Sequence, residues 1–440
     1  MKIKTLIPLL YLLITFTIKQ VGAQSGKLFT VESGLSSSMV TDIHQCRNGF
    51  IWIATEDGLN RFDGSKNTLY RTDNNTTGSV LNNMALVLAS DAKGTMYVGY
   101  FNGLQFYNDA TNSFHKVPLW TSKGQLCEPH VNTILQRKNG SLLIGTSGYG
   151  LFEIHTGKDG KPYGMRMKDF EPSNFIVRLF EDATQNLWIA TENSGLFKFS
   201  AKGKHSYFSN KRGQKNVIVS ICEDKYGTLL VGKLNGGLYR YDASKDTFNQ
   251  ASSPDLSSST VLDLHVGSDN LIYVGTEGHG MKIYNPDANA LIDLDPAATT
   301  FNIATAKISS VLEDQAGNLW VGISQKGVFL LHRYKNRFGY IGHRSNKQDF
   351  IGANAVLSML EDRSGTLWVG TDRDGLYRVD PIRSTAKHYK ISEKRNFPGS
   401  IMAIFEDSGD NLWLGTANEG LFTLDRQTGV GRFVPGLVDK

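Results

Sequence analysis

Pairs of adjacent carboxylates recur along the chain, and paired carboxylates can act as catalytic groups. The pairs are Glu181-Asp182, Glu223-Asp224, Glu313-Asp314, Glu361-Asp362 and Glu406-Asp407. Two carboxylates that flank one glycosidic bond are the catalytic groups of most glycosidases. Each pair here precedes the same kind of turn and returns at a regular spacing, which indicates a signature of the fold. We therefore predict no catalytic residues among them.

Other reactive side chains lack the spacing that their chemistry requires. The ten histidines form no H-E-x-x-H or comparable metal motif. No G-x-S-x-G elbow or phosphate-cradling loop occurs between a strand and a helix, and no acidic calcium loop is present. The cysteines, Cys46, Cys127 and Cys222, are few and far apart, so they predict neither a disulfide framework nor a metal site. The sequence predicts no metal and no cofactor.

The carboxylate pairs belong to a tandem repeat that runs the length of the chain. Successive copies are 42 to 48 residues apart, and the nine anchor residues are Trp52, Tyr97, Leu143, Trp188, Leu230, Tyr273, Trp320, Trp368 and Trp413. In the copy anchored at Trp368 we predict strands at 355–360, 366–371, 375–380 and 388–391. Four short strands in a repeat of about 40–45 residues are typical of a propeller blade. The predicted fold class is therefore all-β, a β-propeller of four-stranded blades.

Three positions in each copy have structural interpretations. Three residues before the anchor, six copies have Gly and the others have Gln185, Asn270 and Asp410. This pattern predicts a turn residue at positive φ, although Gln185 fits it less well. Six residues before the anchor an Asp occurs six times, and it is predicted to accept hydrogen bonds from turn amides. Two residues after the anchor every copy has Gly or Ala, which lets neighbouring blades approach while the anchor fills the wedge between them.

The first residues predict export. Lys2 and Lys4 precede an apolar run from Leu6 to Ile18, and Val21-Gly22-Ala23 is a small-residue cleavage site, so residues 1–23 are predicted to be a signal peptide. An uncleaved anchor is the alternative, but the run is short for a membrane span. Removing the signal lowers the formal net charge from +5 to about +2. A near-neutral chain has no electrostatic reason to bind nucleic acid or an anionic membrane.

The repeats resemble those called two-component regulator propeller repeats. The resemblance rests on GLSSSMVTDIHQCRNGFIWIATEDGLNRFDG (34–64) and on copies of the form ED-x-x-G-x-L-W-V-G-T-x-x-x-G-L, and it covers about residues 28–433. It implies the periplasmic sensor region of a hybrid two-component histidine kinase of Bacteroidetes-type bacteria. In that family two seven-bladed propellers and a β-sandwich precede a membrane helix and the kinase. The sensed molecule is typically an oligosaccharide, and binding controls genes for glycan use.

The family plan divides the sequence into a complete and an incomplete propeller. The signal peptide (1–23) is followed by an orphan strand (24–33), a seven-bladed propeller (34–345) and two blades of a second propeller (346–440). Single rings of eight or nine blades are the alternatives, and nine exceeds the usual range of about 4–8. Because no sandwich, membrane span or kinase follows, we expect a fragment of a longer, membrane-anchored receptor, which in full could be a homodimer. A free-standing binding protein is the alternative.

The segment Lys27–Glu32 reads as an outermost strand without a blade of its own. The copy anchored at Trp320 already has a candidate for that strand at 337–341. We therefore expect the N-terminal strand to complete the last blade of the second propeller, and pairing with the copy anchored at Trp320 would refute this.

The loops between the second and third strands are the variable part of each copy, and loops on a rigid scaffold commonly carry function. The candidate ligand-binding residues are Tyr100, Asn102, Tyr149, Glu192, Asn193, Lys233, Asn235, Glu277 and His279. Aromatic faces with amide, carboxylate and ammonium groups suit an oligosaccharide or another small ligand. Taken singly, any of these residues could be an ordinary solvated loop residue. A protein-interaction scaffold and a secreted propeller lyase or glycosidase are the other functions that stay open.

Overall fold

The fold consists of β-sheets throughout the described part of the chain. The computed structural model describes residues 26–73, 75–167, 173–201, 203–208, 216–251, 256–294, 303–332, 351–352, 354–380, 385–389, 400–426 and 428–435. These residues contain no α-helix and form nine sheets, which confirms the predicted all-β class. No helix among them has the length and apolar character to cross a membrane. The predicted signal peptide and the candidate strand at 337–341 lie outside the described residues.

The N-terminal strand and three sheets form the first part of the chain. Their bounds are β1 (Gly26–Phe29); sheet 1, β2 (Val40–Gln45), β3 (Ile51–Thr55), β4 (Gly58–Phe62), β5 (Asn67–Tyr70); sheet 2, β6 (Ala85–Ser90), β7 (Met96–Tyr100), β8 (Gly103–Asn108), β9 (Ser113–Lys116); sheet 3, β10 (Leu119–Trp120), β11 (Leu126–Cys127), β12 (His130–Gln136), β13 (Leu142–Ser147), β14 (Gly150–Thr156), β15 (Pro162–Arg166). Sheet 3 has six strands, because β10 and β11 extend its outer edge.

Four sheets follow, each with its strands in chain order. Their bounds are sheet 4, β16 (Ile176–Glu181), β17 (Leu187–Thr191), β18 (Gly195–Ser200), β19 (Gly203–Tyr207); sheet 5, β20 (Ile218–Glu223), β21 (Leu229–Lys233), β22 (Gly237–Asp242), β23 (Thr247–Gln250); sheet 6, β24 (Val261–Val266), β25 (Ile272–Thr276), β26 (Met281–Asn285), β27 (Ala290–Asp293); sheet 7, β28 (Ile308–Glu313), β29 (Leu319–Ile323), β30 (Gly327–Leu331).

Two further sheets contain the last described strands. Their bounds are sheet 8, β31 (Val356–Glu361), β32 (Leu367–Thr371), β33 (Leu376–Asp380), β34 (Thr385–Tyr389); sheet 9, β35 (Ile401–Glu406), β36 (Leu412–Thr416), β37 (Leu421–Leu424), β38 (Gly431–Phe433). The fourth strand of sheet 8 thus begins earlier than the sequence predicted. The first strand of each sheet, or β12 in sheet 3, is called the inner strand below. In eight sheets its pairing with the next strand has a β-bulge after its first residue. In sheet 3 the bulge follows the second residue, Val131.

Sheets 1 to 7 form a closed cycle, called the ring below. The inner strand of each sheet contacts the inner strand of the next, and β28 of sheet 7 contacts β2 of sheet 1. The cycle therefore closes at seven sheets, which favours the seven-bladed arrangement over rings of eight or nine. The first strands β31 and β35 of sheets 8 and 9 likewise contact each other.

The N-terminal strand closes the ring, and the expectation that it belongs to a second propeller is wrong. Strand β1 pairs antiparallel with β30 of sheet 7, with Gly26 opposite Leu331 and Phe29 opposite Val328. It is therefore the fourth strand of sheet 7 and not an orphan. Because the chain continues from this strand into sheet 1, its backbone pairing with β30 joins the last sheet of the ring to the first.

The anchor residues pack between sheets, as predicted. Trp52 of sheet 1 lies in one buried cluster with Leu88, Tyr107 and Phe114 of sheet 2. A Cβ atom added to Gly99, two residues after the next anchor, would lie 2.6 Å from Val131 of sheet 3. Such a contact is too short for carbon atoms, so the small residue is needed where the sheets approach. Aromatic anchors and small residues thus make the packing contacts between neighbouring sheets.

Candidate functional site

The aspartates of the recurring carboxylate pairs hold their own turns. Asp182 accepts hydrogen bonds from the Asn186 amide (2.9 Å) and from the indole Nε1 of the anchor Trp188 (2.8 Å). Equivalent bonds to the anchor tryptophan occur at Asp314, Asp362 and Asp407. The predicted acceptance from turn amides is confirmed, and the bond to tryptophan was not foreseen. The residue three before the anchor has positive φ in these turns, including Gln185 at 64°.

Among the described residues, four of the five pair glutamates, all but Glu361, accept a hydrogen bond from the turn of the preceding sheet. Glu223 of sheet 5 accepts from the Ala183 amide of sheet 4 at 2.6 Å, and Glu313 of sheet 7 accepts from the Ser268 amide of sheet 6 at 2.6 Å. At the closing junction Gln45 of sheet 1 does the same for Gln315 of sheet 7. Because the two carboxylates of a pair bind separate turns, they are structural groups and do not converge on a common substrate position.

The loops between second and third strands lie together on one side of the ring, which we call the loop face. The second strand of each sheet runs antiparallel to the inner strand. The first residue of the loop after the second strand therefore lies beside the residue that precedes the inner strand. The Glu192 amide donates to the Phe175 carbonyl and the Glu277 amide donates to the Thr260 carbonyl, both at 3.0 Å. The first hairpins, with their carboxylate pairs, lie on the opposite face.

The strand exit before each loop usually carries a threonine that closes the hairpin. Thr146, for example, is buried and its hydroxyl donates to the Gly150 carbonyl at 2.7 Å. Tyr100 replaces this threonine in sheet 2 and is 0% exposed. The predicted site residue Tyr100 therefore offers no stacking surface to solvent. In sheet 5 the strand-exit threonine is replaced by Lys233. Its half-buried side chain places the ammonium group 5.9 Å from the Tyr239 ring centre.

Four predicted residues lie on the loops of sheets 2 to 4 with different exposures. The half-buried Asn102 has an enclosed side-chain oxygen, to which no described residue donates a hydrogen bond. Tyr149 is 41% exposed, Asn193 is exposed and Glu192 is half-buried. Of these, Tyr149 and Asn193 present their side chains most openly to a ligand.

Three predicted residues bind the protein itself. The Thr260 hydroxyl donates to the Asn235 side-chain oxygen at 3.1 Å, and His279 Nδ1 lies 2.9 Å from the Ser259 hydroxyl. Glu277 accepts from the Lys307 ammonium at 2.9 Å, and this hydrogen bond lowers the pKa of the Glu277 carboxyl. These contacts order the loops of sheets 5 and 6. A ligand at these positions would have to share or displace them.

Phe175 is a loop-face residue that sequence reasoning missed. It precedes the inner strand of sheet 4, is 40% exposed, and forms an isolated β-bridge with Ser147 at the strand exit of sheet 3. In the same place the Gly150 amide donates to the Asn174 carbonyl at 3.0 Å. Tyr149 lies within this tied segment. The structure thus holds two exposed aromatic residues on adjoining backbone segments, which a search confined to the second-to-third loops does not find.

The inner strands of all seven sheets line a central channel with a cavity of about 330 Å³. Asp42 in this channel accepts from the Leu88 amide at 2.8 Å, and burial raises its pKa to about 6. Burial lowers the pKa of the neighbouring His44 to about 4. Arg178 lies 3.5 Å from Asp263 across the channel. In the described part of the chain no group of three or more His, Cys, Asp or Glu side chains could hold a metal ion.

A second cavity, called the groove below, lies between sheets 1 and 2 on the face opposite the loops. Its volume is about 460 Å³, and its walls include Arg47, Phe50, Trp52, Lys93 and Phe106. None of the predicted ligand-binding residues lines it. The groove and the aromatic pair on the loop face are therefore separate candidate sites.

Comparison with known proteins agrees with this architecture. The family described as two component regulator propeller matches residues 171–193 and 351–373. The chain is 27% identical to histidine kinase P4 of Formosa agariphila, over 67% of the chain and 29% of that protein. It resembles the extracellular domain of a putative hybrid two-component system of B. thetaiotaomicron (TM-score 0.66, 23% identity, 94% of this chain and 55% of that one). A streptogramin B lyase is similar in fold (TM-score 0.53, 13% identity, 70% of this chain and 97% of that one).

Proposed function

The chain carries two-component regulator propeller repeats, and from that premise we propose that it is the ligand-sensing region of a hybrid two-component sensor kinase. Its ligand is an oligosaccharide, which binds on the loop face of the ring. The chain spans 29% of the length of the histidine kinase relative, so kinase activity would belong to other parts of such a receptor. The predicted signal peptide and the extracellular domains among the structural neighbours support a periplasmic location.

The observation that carries the proposal is the aromatic pair Tyr149 and Phe175. Both rings are about two-fifths exposed, and backbone bonds join the segments that carry them. Sugar rings stack on exposed aromatic faces, and their hydroxyls need side chains that can accept and donate. The exposed amide of Asn193 lies on the next loop of the same face. Rigid strands hold these groups in place before a ligand arrives, which lowers the ordering cost of binding.

The proposal is tested with a panel of oligosaccharides and the purified chain. One class of glycan is expected to raise the melting temperature, since a ligand at 100 times its Kd adds about 2.7 kcal/mol to the free energy of unfolding. In Tyr149→Ala and Phe175→Ala we expect at least tenfold weaker binding, with unfolding free energies within about 0.5 kcal/mol of the parent. Phe433→Ala, which removes an equally exposed ring in sheet 9, is the matched control and should bind normally.

Two results would contradict the proposal. The first is that no glycan in the panel stabilises the chain, and the second is that both aromatic variants bind as the parent does. Cleavage of a glycan by the purified chain would instead support the enzyme alternative. Capture of a protein at the loop face, with no glycan bound, would support a protein-interaction scaffold.

A further inference from the structure

The junction of sheets 1 and 2, which contains the groove, differs from the other sheet junctions in the residues that close it. At five junctions a side-chain oxygen from the next sheet accepts a hydrogen bond from the second residue of the turn. Besides Glu223, Glu313 and Gln45, the acceptors are Gln136 for Ala92 (2.9 Å) and Glu181 for Lys138 (2.6 Å). Glu406 does the same for Arg363 in sheets 8 and 9 (2.8 Å). This amide position is therefore built to bind a carboxylate or amide oxygen.

At the junction of sheets 1 and 2 both usual carboxylates are missing. Ser90 occupies the position of the clamping glutamate, and its hydroxyl instead lies 2.8 Å from His44 Nε2. Cys46 occupies the position of the turn aspartate, and burial raises the pKa of its thiol, so that the group is neutral. Among the described residues the Arg47 and Asn48 amides have no hydrogen-bond acceptor. Cys46, Arg47 and Asn48 of this turn all line the groove.

The same two sheets supply positive charge and aromatic walls. The side chains of Arg47 and Lys93 are exposed, and in the described part of the chain neither has an acidic partner. The acidic group on the groove wall, Asp109, lies 3.7 Å from Arg61. Phe50 and Phe106 are half-buried in the walls. A cavity of about 460 Å³ is within the usual range for small-molecule sites, about 300–1,000 Å³.

The junction of sheets 5 and 6 shows why the missing aspartate matters. Val266 there also fails to supply a clamping oxygen, but Asp224 is present in the turn. Its second carboxylate oxygen is buried and has no hydrogen-bond partner in the described part of the chain, because the anchor of this copy is Leu230 and has no indole N–H. That uncompensated carboxylate would repel an anion. The groove, by contrast, has a neutral thiol and two cations.

We propose that the groove binds a uronic acid residue, a sugar whose carboxylate replaces the missing glutamate. The carboxylate accepts from the Arg47 amide and is held by the Arg47 and Lys93 side chains, since charge-assisted hydrogen bonds are the strong ones. The sugar ring packs against Phe50 and Phe106. This site lies on the face opposite Tyr149 and Phe175 and does not depend on ligand binding at the loop face.

The test is calorimetric titration of the purified chain with D-galacturonic acid, D-galactose and acetate. Galacturonate is expected to bind saturably, and at least tenfold more tightly than galactose or acetate. Ser90→Glu supplies the clamping carboxylate from within and should weaken galacturonate binding at least tenfold. Arg47→Ala should weaken it about tenfold, while Lys123→Ala, which removes an exposed cation of sheet 3, should leave it unchanged.

Several outcomes overturn the proposal. If galacturonate binds no more tightly than galactose, the carboxylate is not recognised. If acetate binds as tightly as galacturonate, the sugar ring is not recognised. Normal galacturonate binding in both Ser90→Glu and Arg47→Ala excludes the groove. If Ser90→Glu does not fold, Arg47→Ala with an unchanged melting temperature decides the matter alone. Tyr149→Ala and Phe175→Ala should bind galacturonate normally, so failure here is distinguishable from failure of the loop-face proposal.

Discussion

The ring and the pair of sheets 8 and 9 have the same strand design but opposite exposure of their inner strands. At the fourth position of the inner strand Ile43 of sheet 1 is 5% exposed, whereas Met359 of sheet 8 is 68% exposed. At the next position Phe405 of sheet 9 is also largely exposed. The repeat therefore specifies a four-stranded sheet, but burial of its inner strand requires a neighbouring sheet on both sides.

The ring provides those neighbours because its first and last sheets meet. Phe29 of the closing strand β1 stacks on Trp320 of sheet 7 at 5.7 Å and contacts Phe62 of sheet 1 edge-on at 5.3 Å. The same junction is tied by the Ser310 hydroxyl, which accepts from the Ile43 amide at 3.2 Å. Closure thus buries the aromatic side chains of both end sheets together.

Removal of the closing strand β1 should have the largest effect on the stability of the ring. A protein that lacks residues 26–29 loses the backbone pairing with sheet 7 and the buried part of Phe29. We expect the free energy of unfolding to fall by at least about 4 kcal/mol, in line with losses of large aromatic side chains. Denaturant unfolding followed by tryptophan fluorescence measures it.

The matched control is removal of the outermost strand of sheet 9, Gly431–Phe433. Within the described residues this strand pairs only with β37 of its own sheet, so its loss should affect the unfolding transition of the ring much less. Equal effects of the two deletions would show that β1 acts only as an edge strand.

A smaller contrast is expected from one substitution made in both regions. Ile43→Ala should lower the free energy of unfolding by about 3 kcal/mol, because a buried side chain leaves a cavity. Met359→Ala removes a side chain that is mostly in solvent and should change it by no more than about 0.5 kcal/mol. Chemical denaturation of both variants measures the difference. Comparable losses would mean that Met359 is covered in solution.

The smallest expected effect is pH-dependent and belongs to the ring channel. The pKa of His44 is about 4 in the folded protein, below its ordinary value of about 6.5. Its stabilising contribution is thus present above pH 6.5 and is lost as pH falls towards 4. Between pH 7 and pH 5, His44→Gln should gain about 2 kcal/mol of unfolding free energy relative to the parent.

Asp42→Asn is the companion variant, with the opposite sign. The pKa of Asp42 is raised to about 6, so its contribution is present at low pH and is lost as pH rises through 6. Relative to the parent, this variant should lose stability between pH 7 and pH 5. Urea titrations at each pH measure both variants, and curves parallel to the parent would contradict the assignment.

Much of the fold could be predicted from the sequence because its signals are local. A turn such as Asp182 to Trp188 contains its own acceptor, its positive-φ residue and its anchor, so the spacing alone indicates the hairpin. Repetition of that unit predicts blades. The location of β1 could not be read this way, since its partner in sheet 7 is about 300 residues away in the chain and any outer blade edge would suit its short pattern.

The candidate sites divide in the same way. Sequence variability directed attention to the loops and found Tyr149, but it also selected Tyr100, which is buried, and Glu277, which binds Lys307. Phe175 and the groove have no sequence signal of their own, because each depends on residues from two sheets.

By itself the sequence determined the repeat, the hairpins, the small residues at sheet contacts and the structural nature of the carboxylate pairs, because each depends on neighbours within about one repeat. Only the tertiary structure decided which strand closes the ring, which aromatic side chains reach solvent and where a clamping acid is missing. Those features arise where distant segments meet, and burial and charge there are properties of both partners together.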